Sequence, residues 1–347
     1  MNAGIYCALA GAALFGASTP VAKLLLGEIP PVLLAGLLYI GSGLGLGLWL
    51  GLRGLIAPGA GRARFAPGDY KWLAGAVISG GVLGPVLLMY GLAASSASAA
   101  SLLLNLEGVF TALLAWFAFR ENFDRRVVLG MLLIIFGGLI LGWQPGELAL
   151  SWPALAVALA CFCWAVDNNL TRRISAGDAA KIASVKGLVA GTISLGVSAA
   201  LGAALPAPKL AAAAALVGLL GYGVSLVLFV VGLRHLGTAR TGAYFSTAPF
   251  IGAALSFGLL GEAPDTLFWI AAVLMAAGVI LHLTERHHHP HRHEALTHDH
   301  AHSHDEHHRH RHAFDWDGKE PHAHPHEHEP QSHSHPHYPD IHHRHLH

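Results

Sequence analysis

Ten apolar runs decide what this chain can fold into, because a helix needs about 20 apolar residues to cross the hydrocarbon of a bilayer. They lie near 3–24, 32–52, 72–93, 98–118, 126–143, 153–171, 180–204, 211–233, 239–260 and 267–284. Breaks such as Ile29-Pro30-Pro31 and Gln144-Pro145-Gly146 separate them. Lipid accepts only segments that satisfy their own backbone groups, so each run predicts a helix. The expected fold class is therefore an all-α integral membrane protein with ten transmembrane helices. At 53% hydrophobic and 12% charged residues, a water-soluble single domain is excluded. Twenty-one Lys+Arg balance 21 Asp+Glu, with no clustered basic face for nucleic acid. The three cysteines, Cys7, Cys161 and Cys163, all sit in apolar runs and give no disulfide framework.

The loops carry an orientation signal. Arg53, Arg62, Arg64, Lys71, Arg120, Arg125, Arg126, Arg172, Arg173, Lys181, Arg234 and Arg240 fall in alternate loops, whereas the others hold Lys23 and Lys209. The positive-inside rule then places both termini in the cytoplasm, with the chain in the cell (inner) membrane. No Lys or Arg precedes the first run and Lys23 lies at its far end, which reads as a retained helix rather than a cleaved signal. Small residues four apart, Gly43, Gly47 and Gly51 or Gly187 and Gly191, suit close helix packing. The same spacing also arises where Gly and Ala are simply abundant.

A shift of 141 positions superposes the two halves of the chain without a gap over about fifty positions. Gly91-Leu92 falls on Gly232-Leu233, Glu121 on Glu262, Asp124 on Asp265 and Gly137 on Gly278. At a slightly larger offset, Trp164-Ala165 resembles Phe15-Gly16. Five helices per unit is an odd number, so the second copy is expected upside down. The charges agree: Arg120, Arg125 and Arg126 become Gly261, Thr266 and Leu267, while Ala93 and Ala99 become Arg234 and Arg240. Two inverted five-helix repeats are the usual physical basis of alternating access, with a solute near the midplane. The units expected are 1–143, 152–285 and a tail, 286–347. A membrane scaffold that transports nothing is the plainer alternative.

The fourth run, AASLLLNLEGVFTALLAWFAFRE from Ala99 to Glu121, and the ninth, TGAYFSTAPFIGAALSFGLLGE from Thr241 to Glu262, resemble the paired signature of the EamA family in the drug/metabolite transporter superfamily. The segment CWAVDNNLTRRIS is similar to the Trp-containing start of each repeat in that family. The resemblance runs from Met1 to about Leu283 and implies a ten-helix transporter. Export of amino acids, other metabolites or drugs, and exchange of nucleotide sugars or sugar phosphates, all fall within the superfamily. One position departs from the pattern: Pro249 in the ninth run has Gly108 as its counterpart, where the family usually has Pro. A helix break in the fourth run is thus not implied by proline.

Ionisable groups at membrane depth are costly, so each is a candidate for function. Glu107 lies about nine residues into the fourth run, or roughly 13 Å at 1.5 Å per residue, near mid-membrane. It can take up a proton or a cation during a cycle, or be a neutral group satisfied by a neighbouring helix. Asn105 is two residues earlier, on a different face. Asp167, Asn168, Asn169 and Thr171 close the sixth run, and Lys186 enters the seventh from the same side. Helical rise allows an Asp167 to Lys186 ion pair, either a gate or a join between helices. Tyr244, beside Ser246, the repeat counterpart of Asn105, is the aromatic chosen for the path from among Trp164, Tyr222, Tyr244 and Phe245. The expected solute and proton path is Glu107, Asn105, Asp167, Asn168, Lys186, Tyr244 and Ser246. No phosphate loop, nucleophile elbow or helical zinc motif stands in the sequence, so no enzyme is expected. Cys161 and Cys163, two apart on a helix, point to different faces and make a poor metal site.

Of 26 histidines, all but His235 and His282 fall at or after His287. Runs such as HHHPHRH and HDHAHSHDEHHRHRH carry too little apolar surface to offset ordering entropy, so a disordered cytoplasmic tail is expected. Imidazole is the commonest transition-metal ligand, and His-x-His can wrap nickel, cobalt, zinc or copper without a preformed pocket. The ligands expected are His287, His288, His289, His291, His293, His298, His300, His302, His304, His307, His308, His310, His312, His322, His324, His326 and His328. No cofactor is required beyond such ions. The partners expected are the lipid bilayer, a small-molecule solute and transition-metal ions, with a homodimer left open and no nucleic acid. Three functions compete. The first is a proton-coupled exporter of small polar or amphipathic metabolites with a metal-binding tail. The second is transition-metal efflux or homeostasis, and the third a metal-responsive sensor without flux.

Overall fold

The computed structural model describes residues 2–56, 68–119, 125–143, 150–172, 174, 178–236, 238–283, 291–293, 296–302, 322–328 and 331–333. Fourteen helices are present among them: α1 (Asn2–Leu25), α2 (Pro31–Ile56), α3 (Asp69–Ala76), α4 (Gly84–Ala93), α5 (Ala97–Leu103), α6 (Leu106–Phe119), α7 (Arg125–Gly142), α8 (Trp152–Arg172), α9 (Ala179–Ala200), α10 (Pro208–Gly218), α11 (Ser225–Leu236), α12 (Thr238–Phe245), α13 (Ala248–Leu260) and α14 (Thr266–Leu283). Eight helical stretches are long and apolar enough to cross a membrane, and shorter apolar helices, Ala248–Leu260 and Thr266–His282, stand where the ninth and tenth spans are expected. The chain is a multi-pass membrane protein. Its outer surface fits that solvent: Leu48, Trp49, Phe136, Leu216, Trp269 and Val273 are exposed apolar side chains.

Two spans carry π-helical insertions, Val77–Leu83 between α3 and α4 and Leu219–Val224 between α10 and α11. Their last six residues coincide under the 141-residue shift. The first has a clear chemical cause. The Gly84 amide bonds Ser79 O, one residue further back than in an α-helix. That leaves the Gly80 carbonyl to seek residue 85, which is Pro85 and has no N–H to give. Tyr39 Oη and Trp164 Nε1 donate to it instead, at 2.8 and 2.9 Å.

The fourth and ninth spans are each broken, at Leu104-Asn105 and at Ser246-Thr247, which the 141-residue shift brings within one residue of each other. Pro249 explains the second break, since its ring clashes with the carbonyl four residues earlier. The first occurs without proline. Around it the Leu104, Asn105 and Glu107 amides bond back only three residues, and Asn105 Nδ2 donates to Leu102 O at 2.9 Å, a local bond that competes with the helix ladder.

Helix packing is reciprocal between the halves. The α2 helix packs on α9 and α7 on α14, α1 packs against α10–α11 and α12–α13, and α8 packs against α3–α4 and α5–α6. The α2–α9 crossing uses small residues of the expected stripes. A Cβ at Gly187 would meet the Gly43 backbone, and one at Gly191 the Ile40 backbone, so Gly is required at this approach. Gly51 has nothing within 4 Å, so the stripe ends before it. A buried core of Leu33, Leu34, Leu38, Leu88, Met89 and Leu92 fills the space between α2, α4 and their neighbours.

Contacts divide the chain into Met1–Glu285 and Arg286–His347. In the second unit β1 (His291–His293) pairs antiparallel with β4 (Gln331–His333), and β2 (Leu296–His302) with β3 (His322–His328). The two ladders pair backbone amides and carbonyls across the strands without needing an apolar core. His287, His288, His289, His304, His307, His308, His310 and His312 lie outside the described residues, as do Arg62, Arg64, Arg120, Glu121, Asp124 and Arg173.

Candidate functional site

Polar side chains of α6, α8 and α9 converge inside the bundle. Glu107 is the second residue of α6, just after the helix break, so the break sets where its carboxylate emerges. Asn168 Nδ2 donates to Glu107 Oε1 at 2.8 Å and reaches Thr111 Oγ1 at 3.4 Å. Asn169 Nδ2 donates to Ala165 O at 2.9 Å and Thr111 O at 3.3 Å, which ties α8 to α6 on a second face. Asn168 is exposed, and a Cβ added at Gly108 would meet no atom within 4 Å. Glycine at the position of the family's proline thus leaves room beside the carboxylate.

One turn away, Lys186 of α9 lies 2.6 Å from both carboxylate oxygens of Asp167. Asp167 is 6% exposed, and Thr171 Oγ1 donates to its Oδ1 at 2.8 Å. A buried ion pair of this kind is neutral overall. Gly80 makes it fit, because any Cβ there would collide with the Asp167 carboxylate. The π-helical Gly80 therefore does two things: its carbonyl anchors Tyr39 and Trp164, and its missing side chain seats Asp167. Glu107 lies within electrostatic reach of both Asp167 and Lys186. Among the described residues it has no ion-pair partner.

Aromatic rings from both halves form a row. Tyr39 and Tyr222 are 5.5 Å apart between centroids, Tyr222 and Phe15 5.9 Å, Phe15 and Phe245 5.7 Å, and Phe245 and Phe229 4.8 Å. Phe245, rather than the chosen Tyr244, is the ring joined to this row. Asn105 and Ser246 are turned onto their own helices, to Leu102 O and to Gly242 O at 2.8 Å, and serve the two breaks rather than meeting Glu107. The sequence reading missed Gly80, Tyr39 and Thr111. A Gly five residues before a Pro within an apolar run was the available signal for the first. Cys161 is buried, with Sγ 3.6 Å from Leu103 O, and among the described residues no three His, Cys, Asp or Glu stand together as a metal site.

A multi-pass helical bundle with paired broken helices and ionisable groups at depth is the layout of a membrane transporter. The EamA-like transporter family model matches residues 2–143 and 151–284, and the chain belongs to that family. It is 29% identical over 283 residues to an uncharacterized transporter of Methanothermobacter thermautotrophicus (strain Delta H), covering 77% of this chain and 82% of the relative. A permease-like protein of Bacillus subtilis (strain 168), YdzE, is 32% identical over 69 residues, 20% of this chain and 88% of that one. A solved crystal structure shares the fold with a TM-score of 0.59 at 21% identity, covering 80% of this chain and 95% of its own.

Proposed function

We propose that this protein is a proton-coupled secondary transporter, not an enzyme, that exports a small polar or amphipathic metabolite across the inner membrane. The observation that carries the reading is Glu107: a carboxylate at a helix break in mid-span, hydrogen-bonded to Asn168, with no ion-pair partner among the described residues. A lone carboxylate at this depth is costly when charged. Taking up a proton, or a cationic part of a solute, removes that cost. The two events exclude one another on one group, which is the elementary requirement for exchange. The neutral Asp167–Lys186 pair next to it fixes α8 against α9 without competing for the proton. The row of rings from Tyr39 to Phe229 suits the apolar part of an amphipathic solute.

The two halves are read as inverted repeats that rock about this region. Support comes from the exchanged cations of the loops, the paired breaks and π segments, and the reciprocal helix contacts. Both termini are assigned to the cytoplasm by the positive-inside bias. The tail is read as a cytoplasmic transition-metal binder on the strength of its histidine content, with His298 opposite His326, His300 opposite His324 and His302 opposite His322 in register.

Uptake into inverted vesicles, across amino acids, nucleobases and divalent metals, with and without a proton gradient, tests the assignment. At least one organic solute is expected to accumulate only with the gradient, and Glu107→Gln is expected to abolish that dependence while the protein stays folded. Unchanged gradient-driven uptake by the variant would remove Glu107 from the mechanism. Removal of residues 287–347 is expected to abolish nickel or zinc binding in calorimetric titration and leave uptake of the organic solute in place.

A further inference from the structure

Glu262 and Lys23 sit far from Glu107, at the end of the bundle where α1 and α13 finish. Both are spent on backbone groups of a different hairpin. Lys23 Nζ donates to Leu92 O at 2.7 Å and Ala93 O at 3.0 Å, the last carbonyls of α4, and to Ser95 O at 2.8 Å in the turn that follows. Glu262 accepts from the amides of Ala97 at 2.6 Å and Ser98 at 2.9 Å, the first of α5. A helix end leaves its last carbonyls and first amides without partners and carries partial charge there, negative at the carboxyl end and positive at the amino end. Each charge therefore meets the helix pole it suits. Lys23 and Glu262 also lie within electrostatic reach of one another. The result is a two-sided grip on the turn Ala94–Ser96, one side from α1 and the other from the end of α13.

This turn joins α4 to the broken span that carries Glu107, which begins at Ala97, ten residues or about 15 Å of helix before the carboxylate. Apolar packing alone would hold α13 on α5 without charged groups. Five charge-assisted hydrogen bonds between two side chains and one turn with its flanking helix ends form a contact that is strong when made and cleanly released, because every group in it is well solvated when free. We propose that Lys23 and Glu262 form the outer closure of the transport path, gripping the α4–α5 turn in this state and letting go when the path opens outward. The closure rests on the transporter reading above, but it makes its own structural prediction.

The full chain, with Cys7, Cys161 and Cys163 replaced by Ala and spin labels at Ala94→Cys and Ala263→Cys, both exposed positions, is reconstituted in lipid and its label-to-label distance distribution measured. The parent is expected to show a dominant short distance and a minor long one. Glu262→Gln and Lys23→Met are each expected to raise the ratio of long to short on the order of tenfold, the change produced when charge-assisted hydrogen bonds become neutral or are lost. Unchanged distributions in folded variants would overturn the closure. Glu262→Gln keeps an acceptor and the shape of the side chain, so it stands as the test even where Lys23→Met does not fold. As a second measurement, a dithiol cross-link between positions 94 and 263 is expected to stop solute counterflow, with recovery on reduction; continued counterflow in the cross-linked protein would equally overturn it. Absence of counterflow for every solute, with distances that still respond to the variants, would sink the transporter reading and overturn the closure of a transport path, leaving only the grip on the turn.

Discussion

The two broken helices share a backbone and differ in chemistry. Both break within one residue of the same repeat position and both pack against a long helix of the other half, yet the first carries Glu107 where the second carries Ala248. The long helices differ in the same sense. Trp164, Asp167 and Asn168 of α8 have Phe15, Ser18 and Thr19 of α1 as counterparts. The glycines that face them match: a Cβ at Gly80 would strike Asp167, and one at Gly221 would strike Ser18. At mid-span the glycine seats recur while the ionisable groups, Glu107, Asp167 and Lys186, gather around α8. On the proposed mechanism, a rocking movement needs equivalent backbones in both halves, whereas proton uptake needs only one carboxylate.

That contrast can be broken most forcefully at the ion pair. Asp167→Asn leaves Lys186 buried without its counter-charge and is expected to cost about 3–5 kcal/mol, whereas Ser18→Ala is expected to cost about 1 kcal/mol or less. Unfolding in mild detergent, followed by intrinsic fluorescence, measures both, and comparable losses would mean that the ion pair does no more at its position than Ser18 does at the matching one. The double variant Asp167→Asn, Lys186→Met is expected to regain most of the loss. Next in size is Gly80→Ala, expected to cost about 1–3 kcal/mol through overpacking, and more than Gly221→Ala because it displaces a paired carboxylate and not a hydroxyl. Equal effects would show that Asp167 has room to move. Smallest is Asn105→Leu, which removes one side-chain bond at the first break and is expected to cost about 1 kcal/mol, with Ser246→Ala costing less because Pro249 maintains the second break unaided.

Much of the architecture was legible from the residues. Hydropathy located the spans, since a bilayer forces long apolar runs, and the offset of 141 was visible because Gly, Glu and Asp recur at matching places. The ion pair of Asp167 with Lys186 followed from helical rise. The contact between Glu107 and Asn168 did not, because it depends on which face of α8 meets α6, and nearly uniform apolarity hides the faces of these helices. The break in the fourth span was hidden for a different reason: Asn105 acts through one side-chain bond to Leu102, a signal far weaker than a proline. Lys23 looked like a loop residue until its three carbonyl partners, about seventy positions away, were in view. The row from Tyr39 to Phe229 draws on four helices, and no spacing along one of them announces it.

The inserted residue in each π segment has a consequence for the evolution of the chain. A residue added to a helix turns all that follows by about 100° about the axis. Here the insertion at Gly80 lets the first half of the span present Leu73 and Val77 to α9's neighbourhood while the second half presents Leu88 and Leu92 to the main core. A single-codon deletion near Gly80 would restore a regular helix, yet it would swing one of those faces out toward lipid and strip Asp167 of its seat, so a gap-free alignment through this stretch is itself a structural requirement.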